Sequence, residues 1–196
     1  VKPFPMCHFV HASADAAIAL RQQGVDARRI RSVEVAMPAG VVQAVCEPLA
    51  AKRRPASDYD AKFSLPYAIA SGLLRGRLGL QDLSPAAYTD PQALALMDRV
   101  GYATDPESTF PRHYTGELRV TLSDGRVLTH REAINRGHAE RPLTNADVVD
   151  KFFGNATLHF PRAHAQAVCD SVLGLADLAS VATLEDLLAR APHSFT

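Results

Sequence analysis

Apolar and polar positions recur along this chain with two periods, and the period changes from segment to segment. Arg29 to Ala36 alternates every second residue, with Val33 and Val35 facing one way and Ser32 and Glu34 the other. That pattern predicts a half-buried strand, ended by Pro38. Ala16, Ala17, Leu20 and Gly24 instead fall at helical spacing and predict a helix from Ser13 to Gln23. Ser13 is its expected N-cap and Gly24 its stop. Gly40 to Leu49 also reads as helix, closed before the basic loop Lys52-Arg53-Arg54-Pro55. Asp58 to Arg75 is mostly helical, with Ala68, Ile69, Leu73 and Leu74 on its core face and Gly76 as its end. Pro66 fits a first helical turn, where its missing N–H costs little. Ser84-Pro85 and Asp90-Pro91 open two further stretches, the second helical to about Arg99.

The sharpest local signal is Ser123-Asp124-Gly125-Arg126. Asp-Gly between alternating runs predicts a hairpin with a turn of the I′ kind. Leu118, Val120 and Leu122 share a face before it, and Val127 and Thr129 begin the return strand. Asn135 to Arg141 is rich in Gly and charge and predicts a loop. Thr144 or Asn145 then caps a helix through Val148, Val149 and Phe152. The remainder is helical and rich in Ala and Leu, punctuated by Pro161 and Gly174. Thr183 is expected to cap the last helix, Leu184 to Ala191, with Glu185 and Asp186 in its first turn. Helices, a few antiparallel strands, then helices again make the class α+β.

Composition narrows the function classes. The 196 residues suit one domain, or one and a fraction. Hydrophobic content of 47% and charged content of 21% are ordinary for a globular chain. Lys+Arg 21 against Asp+Glu 21 argues against a nucleic-acid partner or a polybasic membrane module. No apolar run reaches the roughly 18 residues of a membrane span, and no basic start leads into an apolar leader segment. A cytoplasmic location is therefore expected. Cys7, Cys46 and Cys169 are odd in number and far apart, which argues against a disulfide framework or a cysteine-held metal. GxGxxG, P-loop and GxSxG motifs are absent, which removes support for redox-nucleotide, Walker-type and hydrolase-elbow chemistry.

Two short segments concentrate reactive side chains. His8 and His11 stand three apart, near Lys2 and Cys7, in a stretch made irregular by Pro3 and Pro5. As metal ligands they lack a third partner at recognisable spacing. An acid–base pair titrating near neutrality fits better, with a satisfied structural pair as the alternative. Asp60 to Tyr67 places Lys62, Ser64 and Tyr67 where a helix begins. A cation, a hydroxyl and a phenol beside a positive helix terminus suit a carboxylate. The alternative is a solvated Lys, an N-cap Ser and a core Tyr. Lys52-Arg53-Arg54 reads as a solvated loop.

The run Lys2-Pro-Phe-Pro-Met-Cys-His-Phe-Val-His11 resembles the opening of the C-terminal domain of the MmgE/PrpD family. That family includes 2-methylcitrate dehydratase, cis-aconitate decarboxylase and iminodisuccinate epimerase. Ala61-Lys-Phe-Ser-Leu-Pro-Tyr-Ala68, the Asp124-Gly125 hairpin and Pro142-Leu-Thr-Asn-Ala-Asp-Val-Val-Asp-Lys-Phe152 agree in order and spacing, so the resemblance covers essentially the whole chain.

The resemblance implies a small α+β lid with an antiparallel sheet over residues 1–140. It implies helices over 141–196 that return to an all-helical domain whose N-terminal half is not in this sequence. It implies cofactor-independent lyase or isomerase chemistry on a small di- or tricarboxylate, begun by removing a proton next to a carboxylate. Lys2 matches the family's active-site lysine, His11 a second family histidine, and Tyr67 the tyrosine of the second motif. Those three are the expected catalytic residues. Cys7 stands where the decarboxylase carries a histidine, which weakens decarboxylation. The Phe-His-Ser-Gln-Thr-like run of the methylcitrate dehydratases is absent too, so the substrate stays open. Cys7, His8, Lys62 and Ser64 are the expected substrate contacts, with no metal and no cofactor. A homodimer is expected, with neither nucleic acid nor membrane as partner. The other reading is a binding module that keeps the lid fold and captures a carboxylate without chemistry.

Overall fold

Strand β1, Ile30–Met37, is an interior strand of the sheet on which the first part of the chain assembles in the computed structural model, which describes residues 1–189. The sheet has four strands in the order β2-β1-β3-β4, where β2 is Val100–Thr104, β3 Gly116–Leu122 and β4 Val127–Glu132. β1 runs antiparallel to β3, and β3 to β4. β2 joins β1 in parallel, in register Val33↔Val100 and Val35↔Tyr102. The sheet is therefore mixed. A parallel neighbour needs a long crossover, and residues 38–99 provide it. β2 is five residues long with no clean alternation, which is why periodicity did not reveal it.

The register explains the burial. Val33 faces Val120 and Val35 faces Leu118 on the covered side, while Glu34 faces Arg119 and Glu117 faces Arg131 on the open side. Helix α1, His11–Gln22, covers β3 and β4 and also packs on the helix Leu65–Arg75. α1 begins two residues before the predicted Ser13 cap, straight out of a 3-10 turn at His8–Val10. Ser13 is fully buried inside it. Two glycines permit this close packing. A Cβ on Gly116 would lie 2.5 Å from the backbone N of Ser13, and one on Gly72 would lie 2.7 Å from the Ala17 Cβ.

The crossover is a chain of short helices. The single helix expected over Gly40 to Leu49 is broken into α2, Val42–Val45, and α3, Leu49–Lys52, with Pro48 between them. Proline cannot supply the helical N–H, so the break falls there. α4, Asp58–Lys62, and α5, Leu65–Arg75, share the predicted helical stretch. Pro66 sits in the first turn of α5, and Gly76 closes it in the left-handed region at φ 68°. α6, Pro85–Tyr88, and α7, Pro91–Met97, each begin on a proline.

The hairpin forms where predicted, but with a different turn. Only Gly125 has positive φ there, at 84°, so Asp124 is not left-handed as a I′ turn requires. Gly125 N–H donates to the Leu122 carbonyl at 3.0 Å, and Leu122 N–H to the Arg126 carbonyl at 2.8 Å. The loop has three residues and ends on a left-handed glycine, the next most common hairpin closure. At the other end of the sheet Asp105 is buried, takes Arg131 of β4 at 2.9 Å, and accepts from the Thr115 hydroxyl at 2.7 Å. Burial alone would raise its carboxyl, but Arg131 and Thr115 outweigh that and hold it below the usual carboxylate range.

The chain divides into two units, Val1–Leu143 and a second from Thr144 onward. In the second, Thr144 caps α8, Asn145–Ala156, in a reciprocal box with Asp147. α9, Arg162–Leu173, starts after Pro161. α10, Ala182–Ala189, begins before Thr183, which lies inside it. The expected end of that helix at Ala191 lies outside the described residues. Phe153, Ala165 and Cys169 form the small core of this unit. Among the described residues no helix is long and apolar enough to cross a membrane.

Candidate active site

Residues 1–7, which contain Pro3 and Pro5, precede the 3-10 turn, and the buried side chains of Phe4, Met6 and Val10 anchor this stretch. With Met6 fixed in the core, its carbonyl becomes a fixed acceptor. Lys2 Nζ donates to it at 3.4 Å and His11 Nε2–H at 3.2 Å. His11 is fully buried in the first turn of α1, and its ring lies 5.0 Å from that of half-buried His8. Cys7 N–H donates to the Lys62 carbonyl at 2.9 Å, a backbone link between the two segments singled out above.

The second segment is used differently. Lys62 pairs with Asp58 at 2.7 Å on the exposed face of α4. The Ser64 hydroxyl donates to the Lys52 carbonyl at 2.6 Å and accepts from Tyr67 N–H at 3.0 Å, so the start of α5 is closed by its own cap. Tyr67 is fully buried. Its hydroxyl donates to the Asp82 carbonyl and accepts from Arg75 Nη1 at 3.2 Å. Burial pushes the Tyr67 phenol up, against the pull of Arg75. The structure thus brings Lys2, Cys7, His8 and His11 together, with Lys62 joined through its backbone. Ser64 and Tyr67 are spent on the cap of α5 and on its contact with the 3-10 turn Leu80–Leu83.

Four residues missed by sequence reasoning complete the cluster. The His8 ring lies 4.7 Å from Tyr114. Asn135, fully buried, places Nδ2 2.9 Å from His8 Nε2 and accepts from Tyr114 N–H at 3.2 Å. Loop 135–141 turns back at Gly137, with φ 89°, where a Cβ would lie 2.6 Å from the Val1 carbonyl oxygen. That loop brings up His138, whose ring packs at 4.9 Å on His113. The one available sequence signal was an Asn and a His inside a Gly-containing loop, and it carries no direction by itself. Arg136 of the same loop pairs with Asp15 of α1 at 3.0 Å and lies over Phe4. Burial pushes the Asp15 carboxyl up in spite of that pair.

Lys2 brings positive charge to the cluster, and the carboxylates at its edge, Asp15 and Glu140, are each paired with an arginine. Burial first, and then Lys2, depress the pKa of His8. Among the described residues, His113, His138 and Glu140 offer ligand atoms within 4.8 Å of one another. Their own contacts fit a metal poorly. Arg112 holds the Glu140 carboxylate at 2.9 Å, and Glu140 N–H donates to His138 Nδ1 at 3.1 Å, so that lone pair is already taken. Arg112 and His113 hold the Glu140 carboxyl below its usual range. Cys46 is buried and its thiol is pushed up to about 12 by burial, so it is no nucleophile. A lysine, several imidazoles and an amide can bind a carboxylate and steady an enolate as it forms.

The MmgE/PrpD C-terminal domain family matches residues 4–175. Cis-aconitate decarboxylase of Mus musculus is 29% identical over 196 aligned positions, covering 95% of this chain and 38% of its own length. The Homo sapiens cis-aconitate decarboxylase is 28% identical over 193 positions, covering 95% and 39%. A 2-methylcitrate dehydratase of Cupriavidus necator is 31% identical over 138 positions, covering 65% and 28%. The chain therefore spans less than half the length of these relatives.

Proposed function

The chain belongs to the MmgE/PrpD family, and from that premise we propose that it is the C-terminal part of a lyase or isomerase acting on a small di- or tricarboxylate. Proton abstraction next to a carboxylate starts the reaction, as in a 2-methylcitrate dehydratase, and no cofactor takes part. Residues 1–140 serve as the lid and those from 141 as helices that join a helical domain supplied by further sequence. One observation supports the reading: Lys2 and His11 meet on the Met6 carbonyl, and His8 packs its ring against His11 within reach of Asn135 and near His138.

In this reading Lys2 meets a substrate carboxylate and offsets the charge that grows on it as the enolate forms. His8 and His138 line the same charge, and Cys7 contributes bulk where the decarboxylase has an imidazole. His11 holds the Met6 turn in place. Ser64 and Tyr67 act through α5, and Lys62 through the backbone bond to Cys7. The site is incomplete without the helical half, and the complete enzyme works as a cytoplasmic homodimer.

A panel of 2-methylcitrate, citrate and cis-aconitate, followed for dehydration, decarboxylation and epimerisation, tests this. The expected result is no turnover by the 196 residues alone and turnover of one substrate when they are joined to a helical half. Robust turnover by this chain alone would sink the incompleteness. No turnover of any di- or tricarboxylate by the joined protein would sink the activity.

A further inference from the structure

We infer that Asn135 is a positioning residue that fixes His8 as a neutral imidazole with its proton on Nδ1, so that His8 serves the site as a hydrogen-bond donor and not as its base. The argument starts at the two ends of one amide. Asn135 is fully buried, so both ends need partners. One end faces Tyr114 N–H at 3.2 Å. A backbone N–H can only donate, so this end is the oxygen. The other end is then the NH2 group, which can only donate. It lies 2.9 Å from His8 Nε2. That nitrogen must present its lone pair, and a neutral ring with a lone pair on Nε2 carries its proton on Nδ1.

Turning the amide over does not relieve the constraint, because NH2 would then oppose the Tyr114 N–H. Protonating His8 does not relieve it either, because an Nε2–H would oppose the Asn135 NH2. The backbone around Asn135 is fixed as well. Its carbonyl accepts from His138 N–H at 3.2 Å, and Gly137 N–H donates to Arg141 at 2.8 Å. The groups facing the His8 ring add no anion. They are Lys2 and the Val1 amino group on its own segment, His11 on α1, the Tyr114 ring, and His138 on loop 135–141. A charge on His8 would thus meet a donor, a partly desolvated environment and a lysine at once.

The chemical consequence belongs to the function proposed above. A neutral N–H donor steadies negative charge on a substrate oxygen without surrendering its proton. The base that removes the substrate proton is then another group.

The test is independent of turnover. Long-range 1H–15N spectra of the chain, labelled on histidine nitrogen, read the tautomer directly. The expected His8 signals are an unprotonated Nε2 and a protonated Nδ1, persisting below the ordinary histidine midpoint of about 6.5. A wild-type His8 protonated on Nε2 overturns the inference, whatever the variants do. Asn135→Asp offers a carboxylate that accepts from both neighbours. It should move the His8 proton to Nε2 and raise its midpoint by about one unit or more, as a paired carboxylate does. An unmoved tautomer and midpoint in a folded Asn135→Asp variant also overturns it. In the joined enzyme, Asn135→Asp should lower kcat with little change in KM and shift the pH profile of kcat. An unchanged profile in an active enzyme overturns the role in the reaction while leaving the substrate reading intact.

Discussion

Met6 does two jobs with two parts of one residue. Its side chain is buried in the core, and its carbonyl accepts from Lys2 and His11. Lys2 is exposed and Tyr67 fully buried, so substitutions there should separate cleanly. Lys2→Ala in the joined enzyme should leave Tm within a degree or two and lower kcat/KM by a factor on the order of ten to a thousand. Tyr67→Phe leaves the Asp82 carbonyl and Arg75 short of a partner. It should cost about 1–2 kcal/mol of stability, seen as a lower Tm, with kcat of the folded enzyme nearly unchanged. A large loss of kcat at unchanged Tm would return Tyr67 to the reacting atoms.

At the scale of elements, glycines decide how closely layers meet. Gly72→Ala drives a methyl into Ala17 across the α1–α5 contact and should cost about 1–3 kcal/mol in chemical denaturation. Gly154→Ala, in α8 with open space around it, should instead stabilise its helix by up to about 1 kcal/mol. The Asp105 staple sets the acid limit of the sheet. Its folded pKa lies below the ordinary value of 3.8, so its contribution is present above that value and is lost as pH falls through the folded pKa. Asp105→Asn should lower stability at neutral pH and flatten the loss of stability below the ordinary carboxylate value, measured by denaturation at a series of acid pH values.

The same scale shows what the sequence could disclose. β1, α5 and the β3–β4 hairpin are written locally, in alternation, helical spacing and an Asp-Gly pair. β2 is not, because its five residues become a strand only beside β1 after a 62-residue crossover (residues 38–99). Lys2, Cys7, His8 and His11 were legible because they cluster within ten residues. Asn135 and His138 were not, because nothing in their loop says what it will lie against. Ser64 and Tyr67 could be read two ways, because an N-cap and a ligand-binding helix start use the same residue types, and in the structure Ser64 caps α5.

At the scale of the whole molecule, the two units are unequally furnished. The first buries a continuous core from Phe4 to Leu122, while the second buries little and leaves Val172, Leu173, Leu175, Val181 and Leu188 exposed. Amides of α9 and α10 should therefore exchange with deuterium orders of magnitude faster than those of α1 and α5. Covering that apolar surface with a helical half should slow the exchange in α9 and α10. Equal protection in both units of the isolated chain would contradict this.

The contact between His8 and Asn135 also has a place in time. It joins residues 127 positions apart, across α1, the crossover and all four strands. Closing so long a loop is entropically costly until the intervening structure has shortened it. On refolding, helix and strand signals should rise first and the bond from Asn135 to His8 last. The arrangement that would handle a carboxylate is thus a late product of the chain, and a nascent polypeptide carries its lysine and histidines long before they can act together.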